Sequence, residues 1–286
     1  MTIVKKVNRK TFTIRPSGRS TDFISPSFGH GCLYNCSYCY MKRNKPYGIS
    51  VAKNTEDILT SINNHVTFDD TQKPNQTHSD YTTYDISCNE DFALHAKHHE
   101  WEKIFTFFKE HSKAMGSFAT KYVNYDLIKF NPQGKIRIRF SLMPQHKSDI
   151  HEPNTSKIID RIKAIDKFID AGYDVHVNFS PIIVYNGWLE DYKYLFSMMN
   201  KYVDNKENVL AECIFLTHNF SRHTYNLDDN PKSEIDLWVP SIQEDKISQY
   251  GGVNRRYNRK LKYQYIKDFT KLHDRIIPWN KIRYIF

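Results

Sequence analysis

The stretch Gly-His-Gly-Cys-Leu-Tyr-Asn-Cys-Ser-Tyr-Cys-Tyr, residues 29–40, holds three of the chain's five cysteines. Cys32, Cys36 and Cys39 have the spacing C-x3-C-x2-C. Three thiolates at such short reach can grip one metal centre, so the segment is expected to be a loop around a metal, following a first strand. A structural zinc site needs a fourth ligand. His30 is the nearest candidate but stands only two residues from Cys32, and no second C-x2-C follows. A [4Fe–4S] cluster on three thiolates instead leaves one iron open to a small molecule.

The rest of the composition narrows the setting. No apolar run approaches the ~20 residues that span a bilayer. The basic N-terminus lacks the apolar core of a secretory signal, so a cytoplasmic protein with no membrane partner is expected. In that compartment clustered cysteines point to metal or redox chemistry rather than disulfides. At 286 residues, 40% hydrophobic and 14% aromatic, the chain can build a large core. Its net charge of +9 is concentrated in the first 20 residues and in 253–272, where Lys and Arg alternate with Tyr. Cations for phosphates and rings for bases suit a nucleic acid, and Arg255, Arg256, Arg259 and Lys260 are the candidate contacts. A solvated basic helix is the plainer alternative.

Strand and helix patterns alternate after the cysteine loop. Helices are expected over 56–66, 98–113, 154–172 and 189–203, with a short one near 123–130. Strands are expected over 81–87, 116–120, 135–142, 173–183 and, last, 209–217. The 154–172 helix has an apolar stripe of Ile158, Ile159, Ile162, Ile165, Phe168 and Ile169, with Gly172 as its stop. With one strand before the cysteine loop, this makes six βα units and a parallel sheet with right-handed crossovers. The expected fold is α/β, a partial (β/α)6 TIM-like barrel with a C-terminal extension. The expected organisation is a basic segment over 1–23, the barrel over 24–217, and an extension over 218–286 that closes the barrel and contacts nucleic acid.

Three cysteines at this spacing with a final aromatic pair are the signature of the radical S-adenosylmethionine superfamily. Within it, the chain resembles the spore photoproduct lyase family over roughly 25–286. The resemblance rests on "GCLYNCSYCYMKR", "YDISCNED", "FATKYVNYDLI" and "RIRFSL". It continues through the Glu-Pro-x-Thr-Ser to Gly-Trp framework of 152–196, "FLTHNFS" and the closing "WNKIRYIF".

The resemblance implies a radical carbon–carbon lyase that reverts spore photoproduct-type thymine dimers in damaged DNA to two thymines. The cofactors would be a [4Fe–4S] cluster and S-adenosyl-L-methionine, which yields a 5′-deoxyadenosyl radical. An electron donor such as flavodoxin or ferredoxin would reduce the cluster. Cys32, Cys36 and Cys39 fall on the cluster ligands, and Cys88 on the hydrogen-atom donor. Tyr38 and Tyr40 fall on tyrosines that contact the cofactor or relay the radical. Lys121 matches a partner of the cofactor carboxylate, while Asn89, Ser141 and Ser180 match edges of its site. Each has a plainer role as well: packing for the tyrosines, a small buried residue for Cys88, a solvated charge for Lys121, strand ends for the serines. Cys213 is read as core. Asn219, Met143, Tyr185 and Gln249 depart from the family pattern near the substrate, leaving open a different base or photoproduct. A zinc-stabilised nucleic-acid-binding module is the alternative outside enzymes.

Overall fold

A computed structural model of the protein describes residues 3–39, 41, 48–68, 72–247 and 251–286. Tyr40 and Gln249 lie outside the described residues. The chain forms two compact units. The first comprises the described residues through Leu33, those from Gly48 to Phe140, and Ala164–His176; the second comprises those from Tyr34 to Met41, Ser141–Lys163 and Val177–Phe286.

The first unit opens with β1 (Val4–Val7), β2 (Arg15–Pro16), β3 (Phe23–Ile24), β4 (Gly29–His30) and β5 (Ile49–Ala52). Strand β5 lies between β1, parallel, and β4, antiparallel. Then come α1 (Thr55–Phe68), β6 (Thr82–Asp85), α2 (Phe92–His95), α3 (Trp101–Glu110), β7 (Ala114–Thr120) and β8 (Ile136–Ser141). Strands β3, β6, β7 and β8 pair in parallel, in that order, with Thr82 opposite Ala114 and Phe118 opposite Ile138.

The apolar spacing of α3 drives Ile104, Phe105 and Phe108 into the core. There Phe105 stacks on Phe92 and Phe118. The region near 123–130 is not the expected helix but a single 3-10 turn, Leu127–Lys129. The period-two pattern of β8 does mark a strand, yet both of its faces are buried. Its two arginines are neutralised by distant acids: Arg137 Nε reaches Asp174 Oδ2 at 2.7 Å and Arg139 Nη2 reaches Asp85 Oδ2 at 2.9 Å.

The second unit draws on α4 (Gln145–His151), α5 (Ile158–Asp170), β9 (Asp174–Ile182), α6 (Trp188–Tyr202) and β10 (Ala211–Phe215). Helix α5 starts in this unit and ends in the first. As the stripe requires, it buries Ile158, Ile162, Ile165 and Phe168, while Ile159 and Ile169 are half-buried. Gly172, at φ +91°, takes the left-handed turn that ends it.

Beyond β10 come β11 (Thr217–Asn219), α7 (Phe220–Asp229), α8 (Pro231–Leu237), β12 (Gln243–Ile247), β13 (Val253–Tyr257), α9 (Arg259–Ile276) and β14 (Ile282–Ile285). The strand at 209–217 is therefore not the last. β14 pairs parallel with β10, which pairs parallel with β9. A closing strand escapes the pattern because its four residues are uniformly half-buried and show no alternation. The basic 253–272 segment divides into β13, between β11 and β12, and the start of α9. Trp188, Phe196, Phe215 and Phe269 form an aromatic core between α6, β10 and α9. Cys213 lies fully buried in β10, and burial pushes its thiol pKa well up, so it is core as expected. Among the described residues no helix is long and apolar enough to cross a membrane.

Candidate active site

In the first unit the chain leaves β4 through Gly31, whose φ of +83° turns it toward the segment after β6. There Gly31 N–H donates to Asn89 O at 3.0 Å. This bond brings Cys32 beside the Cys88–Asn89 segment, so two predicted site elements distant in sequence meet. Both Cys32 and Cys88 are half-buried, and Arg15 Nη2 lies 3.9 Å from Cys88 Sγ. Asn89 Nδ2 donates to Ser27 Oγ at 3.2 Å.

The next two residues build the floor. Glu90 is buried, and its Oε2 accepts from His95 Nδ1 at 2.8 Å and His99 Nε2 at 3.0 Å. Burial alone would raise its pKa, but His99 and His95 outweigh it and hold the carboxyl below its ordinary value. Leu33 N–H donates to His95 Nε2 at 3.3 Å. That leaves the ring proton on Nδ1, facing Glu90. Asp91 caps α2 through Leu94 N–H at 3.2 Å. It also accepts from Thr120 Oγ1 at 2.7 Å and from Lys121 N–H at 2.8 Å, which fixes the backbone of Lys121 at the end of β7.

In the second unit Cys36 is buried and Cys39 half-buried, with Cys39 N–H donating to Cys36 O at 3.1 Å. Tyr38, between them, donates its hydroxyl to Glu152 Oε1. Burial and then the Glu152 charge raise its pKa well above the ordinary value, so it stays a neutral phenol. Glu152 also takes Arg161 Nη1 at 2.9 Å, and that nitrogen donates to Ser141 O at 2.8 Å. Thus Tyr38 and Ser141 are joined through one fully buried ion pair. Ser180 is half-buried on β9 and precedes a cis peptide to Pro181.

The basic candidates fall into two kinds. Arg255 Nε bonds Asp245 Oδ1 at 3.0 Å with its guanidinium 4.8 Å from the Trp238 ring, and Arg256 Nε bonds Glu244 Oε1 at 2.9 Å. Arg259 and Lys260 are exposed on the first turn of α9.

Several residues of this site were not singled out in the sequence. Glu152 stands in the Glu-Pro-Asn-Thr-Ser segment, so a signal for it existed. Arg161 stands in the same framework, in its Arg-Ile pair, so a signal existed for it too; His95 carried none, because its partners emerge only in the folded chain. All five cysteines are free of disulfides.

The comparisons with known proteins bear on the whole chain. A family model described as spore photoproduct lyase matches residues 1–286. The spore photoproduct lyase of Bacillus subtilis (strain 168) is 26% identical over 285 residues, covering 96% of this chain and 80% of its own. That of Clostridium acetobutylicum is 24% identical over 246 residues, covering 84% and 69%. A solved spore photoproduct lyase complexed with dinucleoside spore photoproduct superposes with a TM-score of 0.88 at 22% identity, covering 99% of this chain and 82% of that one. A mutant with bound AdoMet and dinucleoside spore photoproduct gives 0.87 at 21%, with coverage of 99% and 82%.

Fold and sequence together define a radical S-adenosylmethionine enzyme of the α/β partial-barrel class, a repair lyase. The chain belongs to the spore photoproduct lyase family. The resemblance drawn from the motifs is borne out, and the zinc-stabilised binding module is set aside.

Proposed function

We propose that the chain reverts spore photoproduct-type thymine dimers in damaged DNA to two thymines, with Cys88 as the hydrogen-atom donor. The observation that carries this reading is the hydrogen bond from Gly31 N–H to Asn89 O at 3.0 Å, which sets the donor's segment against the first metal-ligating cysteine. A donor thiol must stand near the radical source, or solvent and stray hydrogen donors compete for the substrate radical.

The residues present fit a [4Fe–4S] cluster and S-adenosyl-L-methionine. Cys32, Cys36 and Cys39 are in no disulfide, and three thiolates leave one iron for the cofactor. When bound, the pair supplies a carbon radical able to take a hydrogen atom from the lesion. The chain's own residues do the rest. Lys121, its backbone fixed by Asp91, offers an ammonium to the cofactor carboxylate. Asn89, Ser141 and Ser180 line the cofactor side by the same family correspondence. Tyr38, a phenol held by Glu152, and Tyr40 contact the cofactor or relay the radical by that same correspondence. Cys88 Sγ–H gives its hydrogen atom to the product radical, since a thiol S–H bond is weak enough for carbon to break.

The lesion would be extruded from the duplex, at a cost of roughly a few kcal/mol that is lower for damaged bases. Segment 218–286 supplies the phosphate contacts, with Arg259 and Lys260 the exposed cations and Arg255 and Arg256 held by acids. A low-potential protein such as flavodoxin or ferredoxin would deliver the electron. The test is anaerobic incubation with synthetic dinucleoside lesion, S-adenosylmethionine and dithionite. Restored thymine is expected. Cofactor cleavage without thymine would transfer the reading to another base or photoproduct.

A further inference from the structure

Three polar residues one turn apart on α7 and its cap, Arg222, Asn226 and Asn230, all reach Ser37, which lies between the second and third cysteines. Arg222 Nε donates to Ser37 O at 2.7 Å and its Nη2 to Cys36 O at 3.3 Å. Asn226 Nδ2 donates to the same Ser37 carbonyl at 2.8 Å, and Asn230 Nδ2 to Ser37 Oγ at 3.4 Å. From the other side Ser37 N–H donates to His151 O at 2.8 Å. Ser37 is 1% exposed, so water does not compete for these bonds.

The helix that makes the clamp is itself anchored. Asn226 Nδ2 also donates to Glu234 Oε1. The Glu234 carboxylate meets His218 Nε2 at 3.1 Å and His223 Nδ1 at 2.6 Å, and His223 stacks on Trp238 with ring centres 4.0 Å apart. These three side chains resemble a metal-ligand set. However, 2.6 Å is shorter than the about 3.3 Å that separates two ligands of a tetrahedral zinc. They form a hydrogen-bonded anchor, with His218 and Glu234 buried and His223 half-buried.

Arg222 brings a charge as well as a fork. It is 5% exposed. Its Nη2 on Cys36 O places that buried charge on the backbone of the second cysteine. A cation beside a thiolate ligand favours the state of the metal centre that carries one more electron. A planar fork on two successive carbonyls also fixes a peptide unit in a way that a lysine cannot.

We propose that Arg222 is a positioning residue for the metal-binding loop: its fork fixes the successive carbonyls of Cys36 and Ser37, and its buried charge at Cys36 makes the bound cluster easier to reduce. The proposal rests on the reading of Cys32, Cys36 and Cys39 as cluster ligands.

The test compares wild type, Arg222→Gln, Arg222→Lys and Asn226→Ala after anaerobic reconstitution with iron and sulfide. Iron and acid-labile sulfide are counted, release to a ferrous chelator is timed, and the midpoint potential is taken by EPR during dithionite titration. Arg222→Gln is expected to have a more negative potential, and Arg222→Lys one close to wild type. Both are expected to release iron roughly tenfold faster, as loss of a partner that orients a ligand does. Asn226→Ala should release iron faster at an unchanged potential, since it removes no charge. An unchanged potential in Arg222→Gln overturns the electrostatic half, and wild-type release in both Arg222→Lys and Asn226→Ala overturns the other. If circular dichroism shows Arg222→Gln unfolded, the potential of Arg222→Lys and the two release rates still decide: a potential far from wild type in the lysine variant overturns the charge argument. A wild type that takes up neither iron nor sulfide removes the cluster reading itself, and the proposal with it.

Discussion

The carboxylate of Glu90 fills the space that a side chain on Gly29 would need: a Cβ built there meets all three carboxyl atoms at 2.0 Å. Glu90 cannot swing away, because His95 and His99 hold it and the pocket is fully buried. Gly29→Ala should therefore destabilise the protein by about 2 kcal/mol, the cost of overpacking a core. In a Glu90→Ala background the same change should cost much less, because the obstacle is gone. Thermal unfolding of the four proteins of that cycle measures the coupling, and strictly additive costs would refute the pairing.

Cys88 is distinguished from a merely small buried residue by the fate of the reaction. With Cys88→Ala, S-adenosylmethionine should still be cleaved and the lesion consumed, but thymine should cease to be the main product as the substrate radical is quenched elsewhere. Chromatography of the anaerobic reaction reports the product ratio. An unchanged, clean thymine yield would show that the hydrogen comes from another group.

Asp174 makes stability depend on pH. Burial alone would raise its pKa, but His176 and Arg137 together bring it far below the usual carboxylate range. The group therefore ionises at lower pH in the folded chain than in the unfolded one, where its pKa is about 3.9. Its stabilising contribution is complete above that value and disappears as pH falls through the lower folded value. Asp174→Asn leaves Arg137, 3% exposed, without its counter-charge, and should cost about 3 kcal/mol at neutral pH. The gap between wild type and variant should narrow steadily below about pH 4. Equal gaps in melts at neutral and strongly acid pH would rule the ion pair out as the cause.

How legible the molecule was follows from sequence distance. The cysteine loop stands out because its three cysteines lie within eight positions, and α5 because its stripe repeats at helical spacing. The environment of β8 could not. Arg137 and Arg139 read like a polar face, and the acids that allow their burial lie 37 and 54 residues away. The supports of the loop are more distant still, with Arg222 185 residues from Ser37. Local pattern records what a residue does to its own element, whereas such charges are placed by tertiary pairing that no window of sequence contains. The family motifs span part of that gap, which is how Cys88 and Lys121 enter as candidates, but they carry neither Arg222 nor His95.

The pairing of basic residues also divides the predicted nucleic-acid contacts. Arg255 and Arg256 give their Nε groups to Asp245 and Glu244, so bringing a phosphate to them sets its charge against a neighbouring carboxylate. Arg259 and Lys260 have exposed side chains at the start of α9, although the Arg259 N–H donates to Glu244 Oε2 at 3.4 Å. If these two contact phosphates, Arg259→Ala and Lys260→Ala should each weaken binding to a lesion-bearing oligonucleotide. Each should also reduce the slope of log K against log salt by about 1, since each released counterion contributes nearly one unit. Arg255→Ala and Arg256→Ala should change that slope less, and removing the acid by Glu244→Gln should strengthen binding by freeing Arg256. Fluorescence anisotropy across a salt series separates the cases. Equal slopes for all four alanine variants would mean that the carboxylates do not shield their arginines, and an unaltered slope for Arg259→Ala and Lys260→Ala would move the phosphate contacts away from α9.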